Sequence, residues 1–307
     1  MHACGHDAHM AILLGVASVL ADMRDEIPGA VKFIFQPAEE GAPPGEEGGA
    51  DLMIAEGVLD GPQAPGAIFG LHVFPGPPGS ISYKPDGMMA ASDGLHIKVN
   101  GVQTHGSMPW GGVDPIAAAA QIINSLQTVV SRQVDISAAP AVVTIGSIHG
   151  GNRGNIIPET VEMTGTIRTL DMTMRDQVHE RVRATAEAAA QSLGATAEVT
   201  IRRGYPVTVN DPELTAQMTG VLNRVSLGGK AHIIKPIMGA EDFSYFANEI
   251  PGLFVGLGVS KPGETLANAA FNHSPYFYVN DDALPYGVRA LANLALEWLH
   301  GQEAASP

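Results

Sequence analysis

Hydrophobic and polar positions change their period along the chain, and each change predicts a different element. From Ala8 to Arg24 apolar residues recur at the spacing of an amphipathic helix. The continuous apolar run Val31–Phe35 indicates a strand buried on both faces, as in a parallel sheet. A Gly/Pro/Glu loop, Pro37–Gly49, and a short helix are predicted to follow, and then another strand, Ala67–Phe74. This strand–helix–strand order predicts an α/β domain.

A different pattern occupies residues 93–205. Four segments alternate apolar with polar residues, which predicts strands with one wet face, and they begin near Leu95, Ala141, Thr160 and Ala197. Two helical segments separate them and give the order β-α-β-β-α-β, that of the ferredoxin-like sandwich. We therefore expect this sandwich to be inserted into an α/β domain made of residues 1–92 and 206–307.

Capping signals predict where the two helices of the inserted domain begin. Asp114-Pro115 is an N-cap followed by proline at the first helical position. This helix is expected to turn four apolar residues inward, namely Ile116, Ile123, Leu126 and Val130. Thr173–Asp176 resembles a capping box and predicts the start of the second helix.

The α/β pattern returns after Tyr205. A helix from about Asp242, the strand Gly252–Gly258 and a C-terminal helix, Asp282–His300, are predicted to complete the outer domain.

Composition excludes several classes of function. The chain of 307 residues has 17 Lys and Arg against 32 Asp and Glu, and the resulting charge of −15 argues against a nucleic-acid partner because it repels phosphate. No apolar run approaches the ~20 residues needed to cross a membrane. Met10–Ala21, taken alone, could be the core of a signal peptide, although no Lys or Arg precedes it. The single cysteine, Cys4, excludes an internal disulfide and suits a reducing compartment, so we expect a cytoplasmic protein.

The first segment with metal-binding chemistry is MHACGHDAH, at residues 1–9. Cys4 and His6 offer a thiolate and an imidazole, both good ligands for zinc-like ions. A lone Cys-x-His is more often a free cysteine near a scattered histidine. Further histidines and Asp7 within the same nine residues favour the metal site instead.

Three other segments add acidic and imidazole side chains. Glu39 and Glu40 follow the predicted strand Val31–Phe35, where one carboxylate could bind metal while the other acts as a general base. A solvated acidic turn is the alternative. His72 near a strand's end and His273 in a loop could each be an ordinary structural histidine when taken alone.

Taken together, these segments predict a site with more than one ion. The five candidate ligands exceed the needs of one tetrahedral ion and indicate two ions about 3.5–4 Å apart that share and activate a water. They are Cys4, His6, Glu40, His72 and His273. Glu39 would then take the proton from that water and pass it to the leaving nitrogen.

Seven blocks of the sequence resemble, in order, the signatures of a metallopeptidase-type amidohydrolase family. The blocks are MHACGHDAHMAILLG, FQPAEEG, GLH, GVQTHGSMPWGGVDP, GNIIPETVEMTGTIRT, MGAEDFSYF and FNHSPYF. The family includes hippurate hydrolase, N-acetyl-amino-acid and N-acetyldiaminopimelate deacetylases, and plant auxin-conjugate hydrolases. The resemblance implies the same five ligands, Glu39 as the base, and cleavage of N-acyl amino acids or small peptides. It also implies an inserted lid that forms a homodimer, and it disfavours the signal peptide.

The identity of the two divalent ions stays open. Mixed sulfur, nitrogen and oxygen ligands accept zinc, manganese, cobalt or nickel.

The resemblance also assigns three residues of the inserted domain. His105 matches a histidine that reaches across the dimer to the scissile carbonyl; a histidine bonding its own loop is the alternative. Asn155 and Arg168 match polar residues that hold the substrate carboxylate or oxyanion, and a plain exposed arginine is the alternative for Arg168. Asp242 is expected to cap its helix as a support residue.

One feature departs from the family pattern. Family members carry further chain before the block MHACGHD, including the first strands of the catalytic sheet, so we expect either a shortened form that lacks these strands or a misassigned start. A folded but inactive module that only dimerises and binds metal is therefore the alternative to an active enzyme.

Overall fold

The computed structural model describes residues 1–43 and 45–305. Its α-helices are α1 His6–Asp22, α2 Gly49–Ala55, α3 Pro115–Thr128, α4 Met172–Gln191, α5 Pro212–Val225, α6 Phe243–Glu249 and α7 Leu284–Ala305. Its strands are β1 Ile68–Phe74, β2 Ile81–Tyr83, β3 Asp86–Met89, β4 Ala91–Asn100, β5 Thr104–His105, β6 Ala141–Gly150, β7 Ile156–Ile157, β8 Thr160–Thr169, β9 Thr196–Arg203, β10 Thr208–Asn210, β11 His232–Ile233 and β12 Gly252–Gly258.

The chain forms two compact units. The first unit consists of Met1–Met88, Thr208–Pro236 and the residues from Asp242 onward. The second consists of Met89–Val207 and Ile237–Glu241. The described helices include none long and apolar enough to cross a membrane.

A mixed four-stranded sheet forms the centre of the first unit. Its strand order is β1-β12-β2-β11, with β1 parallel to β12, β12 antiparallel to β2, and β2 parallel to β11. The predicted strand Gly252–Gly258 has these bounds in the structure and is buried along its whole length. Helices α1, α5 and α7 contribute side chains to the core around this sheet. The segment Met10–Ala21 lies within α1 and buries Ile12 and Val16.

The predicted strand Val31–Phe35 is wrong. Residues 30–38 have no regular secondary structure, although Val31 and Phe33 pack against the core of the first unit. An apolar run can be buried by side-chain packing alone, whereas a strand also needs a partner for its backbone hydrogen bonds. Among the described residues no strand pairs with this segment.

The second unit has the predicted β-α-β-β-α-β arrangement. Its main sheet has the order β6-β8-β4-β9, and every neighbouring pair is antiparallel. Helices α3 and α4 pack on one face of the sheet and enclose a separate hydrophobic core. Along β8 buried and more exposed residues alternate, so Arg168 lies on the face that points away from this core.

Two details of the helices in this unit differ from the sequence expectation. Asp114 caps α3 as predicted, but Ile116 is exposed because the inward face is formed by other residues of the helix, Pro115, Ala118, Ala119, Ile122 and Leu126. Helix α4 starts before Thr173, since the side chain of Asp171 accepts a hydrogen bond from the backbone N–H of Met174. Small alanines carry little weight in an apolar pattern, yet they fit best where a helix approaches a sheet.

A buried ionic cluster lies between the sheet and α4. The Asp93 carboxylate accepts hydrogen bonds from Arg175, from the backbone N–H of Gly204 at 3.1 Å and from His179 at 2.6 Å. The side chain of Asp93 is 0% exposed and that of Arg175 is 3% exposed. Burial by itself raises the pKa of Asp93, but the bonds from His179 and Arg175 together hold the pKa well below its usual range.

We expect Asp93→Asn to destabilise the protein by about 3–5 kcal/mol, because it leaves the Arg175 charge buried without its counter-ion. Since the folded-state pKa of Asp93 is lowered, its stabilisation is present above about pH 4 and is lost as the pH falls through the folded value. Urea unfolding of the metal-free protein measures both effects. The matched control is Asp176→Asn, whose pair with Arg203 is 63% and 53% exposed, and which should cost at most about 1 kcal/mol. Equal losses in the two variants would contradict the assignment.

Candidate metal centre

Four segments of the first unit bring candidate metal ligands together. The sulfur of Cys4 lies 3.3 Å from Nε2 of His72 and 3.2 Å from Nε2 of His273. His273 Nε2 lies 2.9 Å from the Glu40 carboxylate, and His6 Nε2 lies 3.9 Å from the same carboxylate oxygen. All five predicted ligands therefore lie in one cluster. Four of them line a shallow cavity together with Met1–Ala3, while His72 lies deeper.

The spacing of these atoms fits metal coordination. Two ligands about 2.0–2.3 Å from one tetrahedral ion lie roughly 3.3–3.8 Å apart. Among the five predicted ligands, two sets of three have their ligand atoms within 4.8 Å of one another: Cys4, His6 and His72 form one, and Cys4, Glu40 and His273 form the other. His6 and Glu40 also form such a set with Glu39. Because Cys4 belongs to both of the first two sets, its thiolate is placed where it could contact two ions. The donors present, one sulfur, three imidazoles and a carboxylate, suit borderline divalent metals.

Cys4 and His6 are placed by the start of α1. Gly5 precedes the helix with φ of +90°, and a Cβ at this position would lie 2.4 Å from Val73. Glycine is therefore required here, both for its backbone conformation and for the close approach to β1. The glycine lets the chain turn between the thiol in the loop and the imidazole on the first residue of α1.

His72 is fixed in the tautomer that a metal ligand needs. Its Nδ1 lies 2.8 Å from the carbonyl oxygen of Val73, which can only accept, so Nδ1 carries the proton and Nε2 presents a lone pair. Burial lowers the pKa of His72 to about 4, against a smaller raising effect of the Val73 carbonyl. The ring is therefore neutral near pH 7, as coordination requires.

The peptide group of Val73 also holds the neighbouring segments. Its N–H donates to Nε2 of His9 at 2.9 Å, and its carbonyl accepts from the Asn272 side chain at 3.0 Å. The same Asn272 amide donates to the carbonyl of Cys4 at 3.0 Å. An amide has two protons, so Asn272 can link the cysteine loop and β1 at once. His273, which follows it, has φ of +71° and donates its backbone N–H to Ala3 at 2.7 Å.

Asp242 has a different role from the predicted helix cap. The structure gives α6 no side-chain cap. Instead, the buried Asp242 carboxylate accepts from the backbone N–H of Ala50 at 2.8 Å and from the side chain of Gln36. Gln36 and Ala50 flank the loop that carries Glu39 and Glu40, so Asp242 holds both ends of the acidic loop. Within that loop Glu39 lies 3.5 Å from Nε2 of His6.

The substrate-residue candidates lie in the second unit, at two separate places. His105 on β5 pairs with Ile156 on β7, and the backbone N–H of Gly106 donates to Asn155, so these candidates are neighbours. Arg168 pairs with Ser92 near the other end of β8. Eight positions, or about 26 Å of strand, separate Arg168 from Thr160, beyond which His105 and Asn155 lie. The two groups therefore do not meet within one copy of this unit.

His105 does bond its own loop, in a way that leaves one nitrogen available. Its Nδ1 accepts from the backbone N–H and the hydroxyl of Ser107, at 3.1 and 2.8 Å. A backbone N–H can only donate, so the ring proton is on Nε2. The exposed His105 thus presents an N–H donor to its surroundings.

Reasoning from the sequence missed His9, Asn272 and Gln36 as supports of the site. Asn272 stands next to a predicted ligand, and His9 is three residues after His6, on the same side of a helix. These two sequence positions could have indicated that His9 and Asn272 support the site. The partner of Gln36 is 206 positions away, and no local pattern could reveal it.

A mixed α/β unit that gathers a thiol, three imidazoles and paired carboxylates defines the class of metal-dependent hydrolases. The chain belongs to the peptidase family M20/M25/M40, whose family model matches residues 1–297. The resemblance to metallopeptidase-type amidohydrolases is therefore confirmed, and the chain is an enzyme of this family.

Several known proteins are similar over nearly the whole chain. Thermostable carboxypeptidase 2 of Saccharolobus solfataricus is 39% identical over 97% of this chain and 73% of its own length. N-acetylcysteine deacetylase of Bacillus subtilis is 38% identical over 96% and 73%. A Bacillus subtilis structure described as a dinuclear metal-binding peptidase is 36% identical, with a TM-score of 0.80 over 98% and 74%. A structure from methicillin-resistant Staphylococcus aureus is 33% identical, with a TM-score of 0.87 over 97% and 74%.

We expect a bound divalent metal to protect Cys4 from alkylation, because a coordinated thiolate is not free to attack. Cys4 is the only cysteine, so the total rate of modification by iodoacetamide reports on this residue alone. Rates are compared for the metal-free protein, the protein loaded with zinc or manganese, and the urea-unfolded protein as the fully reactive control. Equal rates for the metal-free and loaded forms would remove Cys4 from the ligand set.

Proposed function

We propose that this enzyme hydrolyses the amide bond of N-acyl amino acids or small peptides with two divalent metal ions. The observation that carries the proposal is the cluster in which Cys4, His6, Glu40, His72 and His273 converge beside Glu39. The names of relatives support the substrate class: an N-acetylcysteine deacetylase, and an IAA-amino acid hydrolase of Arabidopsis thaliana that is 38% identical over 97% of this chain and 66% of its own length. Acetyl, benzoyl (as in hippurate) and indoleacetyl groups are the candidate acyl groups.

The residues divide the work between metal binding and proton transfer. One set of ligands would be Cys4, His6 and His72, and the other Cys4, Glu40 and His273. When bound, the ions would supply the Lewis acidity that polarises a carbonyl and acidifies a water. Glu39 lies beside the ligands, where it would accept a proton from the attacking water and deliver it to the leaving nitrogen.

The second unit supplies the groups that hold the substrate. Nε2–H of His105 is a donor suited to the scissile carbonyl or the oxyanion that forms from it, with Asn155 as its neighbour. Arg168 has the fork geometry that pairs with a carboxylate. A substrate contacted by all three residues must take them from two chains, because about 26 Å of β8 separates the two groups in one chain. We therefore propose a homodimer in which His105 and Asn155 serve the site of the partner.

A reducing environment suits this chemistry, since Cys4 must stay reduced to bind metal. We accordingly propose that the enzyme acts in the cytoplasm. No observation on the chain favours the alternative of an inactive metal-binding module.

We expect Glu39→Gln to keep its metal while turnover falls by about 10²–10⁴-fold, the effect of losing a positioned acid–base group. Glu40→Gln should lose both metal and activity because it removes a ligand. Elemental analysis after loading with zinc or manganese, and hydrolysis of hippurate and N-acetyl amino acids, measure the two properties separately. Glu46→Gln changes an exposed carboxylate of the same loop and should alter neither. Loss of metal from Glu39→Gln would mean that the roles of Glu39 and Glu40 are exchanged.

We expect Arg168→Lys to raise KM for N-acyl amino acids about tenfold. The difference in kcat/KM between these acids and their amides should become smaller. Lysine keeps the charge but cannot form the two-pronged pair with a carboxylate. The measurement is kcat/KM for an acid–amide substrate pair. Arg202→Lys, an exposed arginine on β9 of the same sheet, is the control and should leave the ratio unchanged. An unchanged ratio in Arg168→Lys as well would contradict a role in binding the carboxylate.

A further inference from the structure

The guanidinium group of Arg168 is held by a threonine on its own strand. Nε of Arg168 donates to the hydroxyl of Thr166 at 3.1 Å, and that hydroxyl donates to the backbone carbonyl of Asp93 at 3.2 Å. Thr166 and Arg168 are two positions apart on β8, so both lie on the face that points away from the core. Both are half-buried.

The chemistry of the groups fixes the direction of this chain of hydrogen bonds. A hydroxyl has one proton, and the carbonyl of Asp93 can only accept it. The Thr166 oxygen can then act towards Arg168 only as an acceptor, which suits the guanidinium nitrogens because they can only donate. The bond therefore takes up Nε and leaves the two terminal nitrogens, which have no hydrogen bond to the described residues of the same unit.

Occupation of Nε selects one of two ways in which an arginine can bind a carboxylate. A carboxylate can pair side-on, with Nε and one terminal nitrogen, or end-on, with both terminal nitrogens. With Nε bound to Thr166, only the end-on geometry remains. The side chain also loses rotamer freedom before substrate arrives, so less is lost on binding.

The anchor beneath Thr166 is rigid. Asp93 is locked on β4 through its side chain, which takes part in the buried cluster with Arg175 and His179. Burial lowers the pKa of Arg168, and the negative charge of Asp93 opposes that change and favours the charged guanidinium. Asp93 thus acts on Arg168 in two ways, through its backbone carbonyl by way of Thr166 and through its charge.

We propose that Thr166 is a positioning residue that determines specificity for a free carboxylate, by holding Arg168 so that its two terminal nitrogens receive the carboxylate end-on. This inference rests on the proposed function, in which Arg168 binds the carboxylate of an N-acyl amino acid. It adds the geometry of binding and names the group that imposes it.

The same strand offers a matched control. Thr164 lies two positions before Thr166 on the same face, and its hydroxyl lies 2.6 Å from that of Ser147. Thr164→Val removes an equivalent hydroxyl from the same sheet, and Thr164 has no hydrogen bond to Arg168. Thr166→Ser keeps the hydroxyl that the proposal requires, whereas Thr166→Val keeps the shape and removes it.

The experiment compares kinetics of the metal-loaded enzyme for an N-acyl amino acid and its amide. We expect Thr166→Val to raise KM for the acid about three- to tenfold, the effect of one lost hydrogen bond, with kcat and the amide reaction nearly unchanged. Thr166→Ser should have the KM of the unmodified enzyme, and Thr164→Val should leave KM unchanged for both the acid and the amide.

A second measurement needs no turnover. In the metal-free protein, the ¹⁵Nε–¹Hε signal of Arg168, assigned by its loss in Arg168→Lys, should exchange slowly with water. Thr166→Ser should keep this protection and Thr166→Val should remove it.

The outcomes separate this inference from the proposed function. If Arg168→Lys narrows the acid–amide gap but Thr166→Val leaves both KM and the Nε–H signal unchanged, the positioning role is overturned and the function of Arg168 stands. If Arg168→Lys leaves the gap unchanged, Arg168 does not bind the carboxylate and the inference is overturned with it. Equal losses for acid and amide in Thr166→Val would show a merely structural role and would also overturn it.

Discussion

The peptide group of Val73 joins the segments on which the candidate metal centre depends. Its carbonyl accepts from His72 and Asn272, its N–H donates to His9, and Asn272 in turn holds the loop of Cys4. A buried peptide group that bonds to side chains in this way orients them as strictly as a ladder partner would. These bonds use Nδ1 of His72 and the carbonyl of Cys4, so they orient the two residues without occupying the Nε2 and Sγ atoms that would bind metal.

The acidic loop is placed by a comparable contact. A buried carboxylate, that of Asp242, holds Gln36 at one end of the loop and Ala50 at the other. Gly49, next to Ala50, has φ of +78°, and a Cβ there would lie 2.6 Å from an Asp242 oxygen. The loop therefore depends on a glycine and on a carboxylate from a distant segment, while Glu39 and Glu40 face the ligand cluster between these two anchors.

In the second unit, buried charged side chains play the part that buried hydrogen bonds play in the first: they fix neighbouring segments. Its buried cluster of Asp93, Arg175 and His179 satisfies every oxygen of the carboxylate and locks β4 against α4. Removing one partner from such a cluster leaves a buried charge without its counter-ion, so all three side chains are needed to hold β4 and α4 together. Arg168 lies next to Ile167, which pairs with Asp93, so it sits beside this fixed point, whereas His105 and Asn155 lie beyond the other end of β8.

Much of the site could be predicted from the sequence, because the ability to bind metal belongs to side-chain type and local spacing. Cys4, His6, Glu40, His72 and His273 stood out in this way, and the family blocks and the β-α-β-β-α-β order followed from motif and periodicity. Only the tertiary structure decided that residues 31–35 form no strand, that Asp242 holds a loop and caps no helix, and that His105 and Arg168 lie in different sheets, with the length of β8 between them. These outcomes depend on backbone partners and on the register between segments far apart in the chain, and a local pattern of residues does not specify either.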